Sequence, residues 1–259
     1  MKREREQELI ASLQLAHKIS LEEAKKQLGV SESTVRRLFE KLERDGTAVR
    51  THGGIQLVSH GMVLYSFEHG EKSNIAKKTV IAREACRFLE DGDVIFCDSG
   101  TTIQCFCGQM IEYLRQKRMR IQVYTNSLAN LELLSPHMDV TLLGGKYRPN
   151  RKDFCGYLTE QSLSGLYFSK SFVGADGCAA DNCFTTTDFE TARINQLAIQ
   201  HSMQSILLAD SSKFTAEAHV ACVPASALRA VVTDEEIPDD VRGRLEQEDL
   251  ELVCTPLHP

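Results

Sequence analysis

The chain has 259 residues, of which 42% are hydrophobic and 25% are charged, and its formal net charge is −6. This composition is typical of a globular protein with one large domain or two smaller ones, and the acidic balance argues against nonspecific nucleic-acid binding by the whole molecule. No apolar run is long enough for a membrane span, and the charged start "MKREREQELI" lacks the apolar core of a signal peptide, so we expect a cytoplasmic protein.

The charge is distributed unevenly along the chain. Residues 1–57 carry a net charge of +2 and the remaining residues −8. This asymmetry predicts two domains with different partners. We place the boundaries at 1–57 for the first domain, 58–74 for a linker that lacks steady periodicity, and 75–259 for the second domain.

The first domain begins with three predicted helices. Apolar residues at helical spacing indicate a helix over 3–16. Ser20 and Glu23 fit a capping box that opens a second short helix, and Gly29 can take the left-handed conformation that ends it. The third helix is expected at 32–45, so that residues 21–40 form a helix-turn-helix unit.

The third helix has one apolar and one polar face. Val35, Leu38, Phe39 and Leu42 cluster on one side and should pack on the other helices. The opposite side offers hydroxyl and guanidinium groups, which are suited to phosphates and base edges. A glycine-broken hairpin, or wing, follows, with cationic groups near its tip. The candidate DNA-binding residues are Ser31, Ser33, Thr34, Arg36, Arg37, Lys41, Arg50 and His52.

One residue on the polar face of this helix is unfavourable near phosphates. Glu40 could accept a hydrogen bond from a cytosine amine or simply point away from DNA. A solvated helix and hairpin without any ligand is the alternative interpretation of the whole stretch. The combination of capped helix, turn glycine, arginine pair and wing favours DNA binding.

The second domain alternates helical and strand patterns. Because the strand runs are almost wholly apolar, they predict a mainly parallel sheet that is covered on both faces, which makes this an α/β domain. The predicted strands are "DVIFC", "RIQVYT", "DVTLLG", "SFVGAD", "SILLAD", "AVVTD" and "LELVC".

Polar residues follow the ends of these strands, where ligands bind in open α/β sheets. The turn "DSGTT" at 98–102 opens a helix, and small residues at a helix N-terminus form an anion site. Further polar loops carry carboxylates that suit sugar hydroxyls. Together these loops predict a site for a phosphorylated small sugar or polyol.

The stretch "LEEAKKQLGVSESTVRRLFEKLERDGTAVRTHGG" resembles the winged helix-turn-helix of the DeoR family of bacterial transcriptional regulators. The motifs "DSGTT", "TNS", "LLGGKYR", "GADG" and "ADSSKF" are similar to the effector domain of the same family, so the resemblance covers nearly the whole chain. One departure is Leu38-Phe39, where the family usually has Asp-Leu, so operator contacts here are expected to differ in detail.

The resemblance implies an effector domain with a ribose-5-phosphate-isomerase-like fold that binds a phosphorylated sugar and then releases DNA. Arg148 is left open, because it reaches either the ligand or only solvent. Carried over by position, the effector-binding candidates are Asp98, Gly100, Thr101, Thr102, Asn126, Ser127, Gly145, Asp176, Glu190 and Lys213.

The function expected on these grounds is a repressor of a carbohydrate-catabolism operon that binds double-stranded operator DNA. Matching two half-sites requires a homo-oligomer, either a dimer or a tetramer. An alternative is an isomerase-like enzyme with an added DNA-binding head, in which Asp98, Asp176 or Glu190 would be the base. A metal-dependent redox sensor is disfavoured because the cysteine spacings match no usual zinc pattern, and we expect neither metal nor cofactor.

Overall fold

The computed structural model describes residues 2–16, 18–44, 48–51, 53–57, 66–216 and 218–257. The chain divides into two compact units, Met1–His69 and Gly70–Pro259. Within the described ranges, no helix has the length and apolar character needed to cross a membrane.

The first unit is a helical domain with a small antiparallel sheet. Its elements in chain order are α1 (Lys2–Ala16), β1 (Lys18–Ser20), α2 (Leu21–Leu28), α3 (Glu32–Arg44), β2 (Ala48–Thr51) and β3 (Gly54–Leu57). β3 pairs with both β1 and β2 in the order β1-β3-β2. The predicted helices and hairpin are confirmed, whereas β1 was not predicted because three residues show no periodicity.

Local sequence signals set the bounds of α2. The Ser20 hydroxyl accepts a hydrogen bond from the backbone N–H of Glu23 at 3.2 Å, and the Glu23 carboxylate accepts one from the Ser20 N–H at 2.8 Å. The hydrogen bonds that the Ser20 N–H and the Ser20 hydroxyl donate to the Glu23 carboxylate lower the pKa of that carboxyl. Gly29 then ends the helix with a φ of 60°, a left-handed conformation that glycine adopts without a Cβ clash.

The first unit has its own core. Apolar side chains from the three helices and from β1, β2 and β3 meet there, and burying them stabilises the helix-turn-helix geometry. Val35, Phe39 and Leu42 of α3 are buried in it and Leu38 is partly buried, as the face analysis predicts. The other buried residues of this core are Leu9, Leu13, Ile19, Ala24, Leu28, Ala48 and Ile55.

The second unit is built on a seven-stranded parallel sheet. The strands of the whole unit, in chain order, are β4 (Val94–Cys97), β5 (Gln122–Thr125), β6 (Val140–Leu142), β7 (Lys146–Arg148), β8 (Asp153–Cys155), β9 (Phe168–Val173), β10 (Gly177–Cys178), β11 (Cys183–Thr186), β12 (Ser202–Leu208), β13 (Val220–Pro224), β14 (Ala230–Asp234) and β15 (Glu251–Thr255). The large sheet has the order β15-β14-β12-β9-β4-β5-β6, and every pairing in it is parallel.

Helices cover both faces of this sheet. They are α5 (Ile75–Ala85), α6 (Thr101–Lys117), α7 (Leu128–Leu134), α8 (Tyr157–Ser164), α9 (Phe189–Gln200) and α10 (Asp239–Leu245), and the short α4 (Phe67–Lys72) precedes them. Ile95 packs in a core with residues of α5 and α6, and the adjacent Phe96 packs in a core with residues of α8 and α9. Since successive side chains of a strand point to opposite faces, the sheet is buried on both sides, which confirms the predicted α/β architecture.

Two smaller β structures were not predicted. β7 and β8 form an antiparallel hairpin, and β10, β11 and β13 form an antiparallel sheet in the order β10-β11-β13. These strands have two to five residues and mix polar with apolar side chains, so their sequences show no clear period.

The parallel sheet gathers the polar loops. Because all seven strands run in the same direction, the residues that follow β4, β5, β9, β12 and β14 lie at one edge, the carboxyl edge. The predicted effector residues come from these loops and from the segments that lie over them.

Candidate functional site

The polar face of α3 is exposed in the first unit. Ser31, Ser33, Arg36, Arg37 and Lys41 are exposed, and Thr34 is half-buried. The Ser31 hydroxyl lies 3.0 Å from the Thr34 hydroxyl and 3.1 Å from that of Ser33, so three hydroxyl groups cluster at the start of the helix. Such a cluster can bind phosphate oxygens.

The cationic side chains of this surface differ in their partners. Arg36 forms an ion pair with Glu32 at 2.7 Å, and Lys41 pairs with Glu6 of α1. Arg37 has no ion-pair partner among the residues that the structure describes. It can therefore contact DNA without first breaking a pair.

Arg50 of the wing lies on β2 and pairs with Ile55 of β3. This is the residue pair next to the last one of the β2–β3 ladder. Its guanidinium turns toward α3, where Nε lies 2.6 Å from Glu43 Oε2 and Nη1 lies 3.5 Å from Glu40 Oε1. Glu40 is thus partly neutralised by the wing. His52, the other predicted wing residue, lies outside the described residues.

In the second unit, Asp98 lies at the end of β4 and is buried. Its carboxylate accepts hydrogen bonds from the Gly174 N–H at 3.2 Å and from the Asn195 amide at 3.4 Å. Burial raises the pKa of Asp98 above the ordinary value of 3.8, and hydrogen bonds from the Ser99 and Gly174 backbone N–H groups offset only part of that rise. Asp98 joins the loop after β4 to the loop after β9 and to α9.

The start of α6 lies directly after this carboxylate. Gly100 is the N-cap residue and makes no side-chain cap hydrogen bond. The first backbone N–H groups of this 17-residue helix, which begins at Thr101 and Thr102, therefore have no side-chain cap. Thr102 is buried and Thr101 half-buried. The positive end of the helix dipole makes this a suitable position for an anion.

Lys213 supplies a cation near the same edge. It lies half-buried in the turn after β12, and its charge helps to lower the pKa of Asp176, against the opposing effect of burial and together with that of Arg151. The structure gives Lys213 no ion pair within the described ranges. Its ammonium group is therefore available to a ligand.

Three further predicted residues have structural roles. The Asn126 amide donates to the Phe154 carbonyl at 2.9 Å, and the Ser127 hydroxyl caps α7 by accepting from the Asn130 N–H at 3.2 Å. A side chain at Gly145 would collide with the Thr159 hydroxyl and the backbone. Close packing therefore explains Gly145 without a ligand.

A group of alternating charges lies over the carboxyl edge, and we call it the arginine cluster: Arg148, Arg151, Asp153, Asp176 and Asp188. Arg148 donates to both Asp153 oxygens at 2.8 and 2.6 Å and to Asp188 at 2.7 Å. Arg151 lies 2.8 Å from Asp188 and 3.5 Å from Asp176. Burial disfavours charge at both carboxyls, yet Arg151 and Lys213 hold the pKa of Asp176 below its usual value, and Arg151 and Arg148 do the same for Asp188.

The arginine cluster was largely missed by sequence reasoning. Only Asp176 was a site candidate and Arg148 was left open, while Arg151, Asp153 and Asp188 were not singled out. Its ion pairs join β7 and β8 to the start of α9, so the partners are up to 40 residues apart. The charge-rich run "KYRPNRKD" was the only local signal.

Ser99 connects the two halves of the site. Its hydroxyl lies 2.9 Å from Asp153 Oδ2 and 3.4 Å from Asp98 Oδ1. Glu190, by contrast, lies at the rim, where its carboxylate is 3.3 Å from Lys146 and 3.6 Å from Arg148. The structure thus joins Asp98 to the arginine cluster and leaves Glu190 outside the buried part.

Four buried acceptor atoms at this edge lack a hydrogen-bond partner among the described residues. They are the side-chain oxygens Asn126 Oδ1, Asn130 Oδ1, Asn195 Oδ1 and Asp210 Oδ2. The three amide nitrogens donate to carbonyl, hydroxyl or carboxylate oxygens, and this fixes the amide orientation. Unpaired buried acceptors are costly, and acceptors of this kind are suited to hydroxyl donors.

The chain has nine cysteines. All nine are free thiols. Burial raises the pKa of Cys86 and of Cys222 to about 12, so these thiols stay protonated at neutral pH. A protonated thiol is a poor nucleophile and a poor metal ligand.

A groove of about 630 Å³ opens at the opposite edge of the sheet. It is lined by the end of α6, the segment from Arg118 to Gln122 at the start of β5, and residues 137–139 before β6. None of the predicted effector residues lines it. Because ligands of open α/β sheets bind at the carboxyl ends of the strands, this groove is not our candidate for the effector site.

Two models of known protein domains match this chain, one in each of its two units. Residues 5–60 match the model of the DeoR-like helix-turn-helix domain, and residues 73–235 match that of the DeoR C terminal sensor domain. The solved structure of ribose 5-phosphate isomerase A from Methanocaldococcus jannaschii aligns with 53% of this chain and 53% of its own, at 16% identity and a TM-score of 0.41.

Several relatives are named as repressors. The lactose phosphotransferase system repressor of Lactococcus lactis subsp. lactis is 36% identical over 216 residues, which are 82% of this chain and 83% of the relative. The repressor of the same name from Streptococcus mutans serotype c is 32% identical over 240 residues, covering 90% and 92%. With a helix-turn-helix head, a parallel-sheet sensor domain and these relatives, the chain belongs to the DeoR family of DNA-binding transcriptional regulators.

Proposed function

We propose that the chain is a repressor of a carbohydrate-catabolism operon and that a phosphorylated sugar or polyol releases it from its operator. It acts in the cytoplasm as a homo-oligomer on double-stranded DNA. Two relatives are named lactose phosphotransferase system repressors, which supports a role in carbohydrate use.

The observation that carries the proposal is the pairing of two kinds of group at the carboxyl edge. The α6 N-terminus without a side-chain cap and Lys213 suit the phosphate, whereas the unpaired buried acceptors suit hydroxyl groups. The arginines of the arginine cluster are already bound by carboxylates. A ligand would therefore lie with its phosphate toward α6 and its hydroxyl groups toward Asn126, Asn130 and Asn195.

Release follows from linkage. A ligand that binds one arrangement of the oligomer better than the other shifts the chain toward that arrangement, and DNA selects the arrangement whose recognition helices match both half-sites. The ligand can weaken operator binding only by the ratio of its affinities for the two arrangements.

The first test is a thermal-shift screen of the full chain against sugars, polyols and their phosphate esters. A ligand at a hundredfold its Kd should stabilise the protein by about 2.7 kcal/mol. We expect a response to a phosphate ester and none to its unphosphorylated parent. Equal binding of the parent, or no response across a broad panel, would contradict the phosphate site.

Two variants locate the ligand. Lys213→Gln should weaken binding of the phosphate ester, whereas Lys117→Gln, at the exposed far end of α6, should leave it unchanged.

Asp98→Ala should keep operator affinity and lose release by the ligand. A normal response in Asp98→Ala would place the effector site elsewhere.

A further inference from the structure

Glu40 places a carboxylate on the face of α3 that points away from the core. At about 100° per residue, Arg37 and Glu40 lie on either side of the direction opposite the buried apolar face, each about 30° from it. Both residues are exposed, and the Glu40 side chain keeps 49% of its accessible surface. In a helix-turn-helix domain this helix enters the major groove, so its outward face presents an arginine and a carboxylate side by side.

The ion pairs of the neighbouring cations leave Glu40 with acceptor capacity to spare. Arg36, one turn before Glu40, is bound by Glu32 through Nε at 2.9 Å and Nη2 at 2.7 Å. Arg50 of the wing is bound by Glu43, which accepts from its Nε at 2.6 Å and from its backbone N–H at 3.2 Å. Among the described residues, Glu40 accepts only from Arg50 Nη1, at 3.5 Å, which is the long limit of a hydrogen bond.

The position of the wing is therefore explained without Glu40. Glu43 holds both the guanidinium and the backbone of Arg50 at shorter distances than Glu40 does. The contact of Arg50 with Glu40 has an electrostatic consequence instead. A carboxylate near DNA is repelled by the phosphates, and a cation beside it reduces that repulsion. Arg50 thus allows Glu40 to approach the bases.

The chemistry of the major groove decides which base suits a carboxylate there. An ionised carboxylate can only accept hydrogen bonds. Guanine and thymine present acceptors in the major groove, and adenine presents its N7 acceptor beside its N6 amine. Cytosine alone presents a donor, the N4 amine, without a neighbouring acceptor of its own. A carboxylate on the outward face of a recognition helix therefore favours cytosine over the other three bases.

We propose that Glu40 is a specificity-determining residue that reads a cytosine of the operator by accepting a hydrogen bond from its N4 amine. Arg37 and Glu40 are separated by about 4.5 Å along the helix axis, which is close to the ~3.4 Å between successive base pairs. A guanine bound by Arg37 and the cytosine read by Glu40 should therefore lie in the same base pair or in neighbouring ones. This inference rests on DNA binding alone and needs no effector.

The first test is the selection of binding sites by the full chain from a random pool of double-stranded DNA, at one salt concentration and without effector. Wild type, Glu40→Ala and Glu8→Ala are selected in parallel. Glu8 is the matched control, because it is an exposed glutamate of the same unit that lies on α1 instead of α3. Sites selected by the wild type and by Glu8→Ala should share a cytosine that sites selected by Glu40→Ala lack.

Anisotropy titration of the wild-type site measures the size of the preference. Exchanging the cytosine–guanine pair for thymine–adenine should weaken wild-type binding about tenfold and should weaken binding of Glu40→Ala by less than about threefold. A site with a cytosine analogue that lacks the exocyclic amine tests the contacted atom directly. It should reproduce the loss of the wild type and leave the affinity of Glu40→Ala unchanged.

Three results would each overturn the proposal: wild-type sites without a common cytosine, a cytosine preference that Glu40→Ala retains, or equal binding of the wild type to cytosine and to the analogue. If Glu40→Ala bound every DNA more tightly by the same factor and kept the preference, the carboxylate would only repel phosphates. Since no effector is present in these experiments, failure of the effector site would not change their outcome.

Discussion

Single side chains decide which cations of the DNA-binding surface are available. Arg36, Lys41 and Arg50 each have a carboxylate partner within the first unit. Breaking an exposed pair costs little, but the carboxylate then stays near the DNA phosphates. Arg37 has no such partner in the described part of the chain, so it is the strongest candidate for a base contact.

Replacing Arg37 by Ala should weaken operator binding by about 1–3 kcal/mol if the guanidinium contacts a base. Fluorescence anisotropy with operator and unrelated DNA at one salt concentration measures this loss. Arg36→Ala is the control, and its effect should be smaller because Arg36 is paired with Glu32. Unchanged operator affinity would remove Arg37 from the interface, and an equal loss on both DNAs would make it a phosphate contact.

The buried Asp98 carboxyl gives a prediction about pH. Burial raises its pKa in the folded protein, so the unfolded chain ionises first as pH rises from about 4. Ionisation of Asp98 therefore costs stability from that pH upward until the folded pKa is passed, and the cost is constant above it.

Asp98→Asn cannot ionise and keeps an oxygen that can accept from Gly174. Urea unfolding of both proteins should therefore show the variant gaining stability relative to the wild type as pH rises above about 4. The direction matters more than the size. A difference between the two proteins that does not change with pH would show that Asp98 is not desolvated.

At the scale of elements, two adjacent glycines differ in whether a side chain would fit at their positions. Gly145 follows β6 and has the Thr159 hydroxyl and the Cys155 carbonyl where a Cβ would be, whereas a Cβ at Gly144 would meet nothing within 4 Å. The β7–β8 hairpin can approach α8 closely because position 145 has no side chain.

Gly145→Ala should destabilise the second unit by about 1–3 kcal/mol through overpacking. Gly144→Ala is the matched control and should change stability by less than about 0.5 kcal/mol. Differential scanning calorimetry of the full chain compares them. Equal transition temperatures for the two variants would mean that the hairpin adjusts freely, and a role for Gly145 in ligand binding would then regain support.

Some strands could be predicted from the sequence and others could not. The seven strands of the large sheet could be predicted because buried parallel strands are almost wholly apolar. The short antiparallel strands β1, β7, β8, β10, β11 and β13 could not, since pairing with distant segments rather than local pattern stabilises them. The hairpin that carries Arg148 and Asp153 is one of these, which is why half of the site was missed.

For the whole molecule, the homo-oligomer proposal sets the geometry of the operator. Two recognition helices of a symmetric pair should match half-sites about 34–36 Å apart, or a multiple of that distance, on one face of the DNA. Inserting about half a helical turn between the half-sites should abolish tight binding, and inserting a whole turn should restore part of it. Gel-shift titration measures this dependence. Affinity that is independent of spacing would favour monomers bound to separate sites.

The sequence by itself determined the helix-turn-helix, the buried parallel strands and the polar loops at their ends, because capping residues, turn glycines and hydrophobic periodicity act over a few residues. The tertiary structure alone decided which charges meet. Arg148 binds Asp188 rather than solvent, Arg50 turns toward Glu43, and Arg37 is left available within the described residues. Ion pairs between distant segments depend on the folded path of the chain, and no local pattern specifies them.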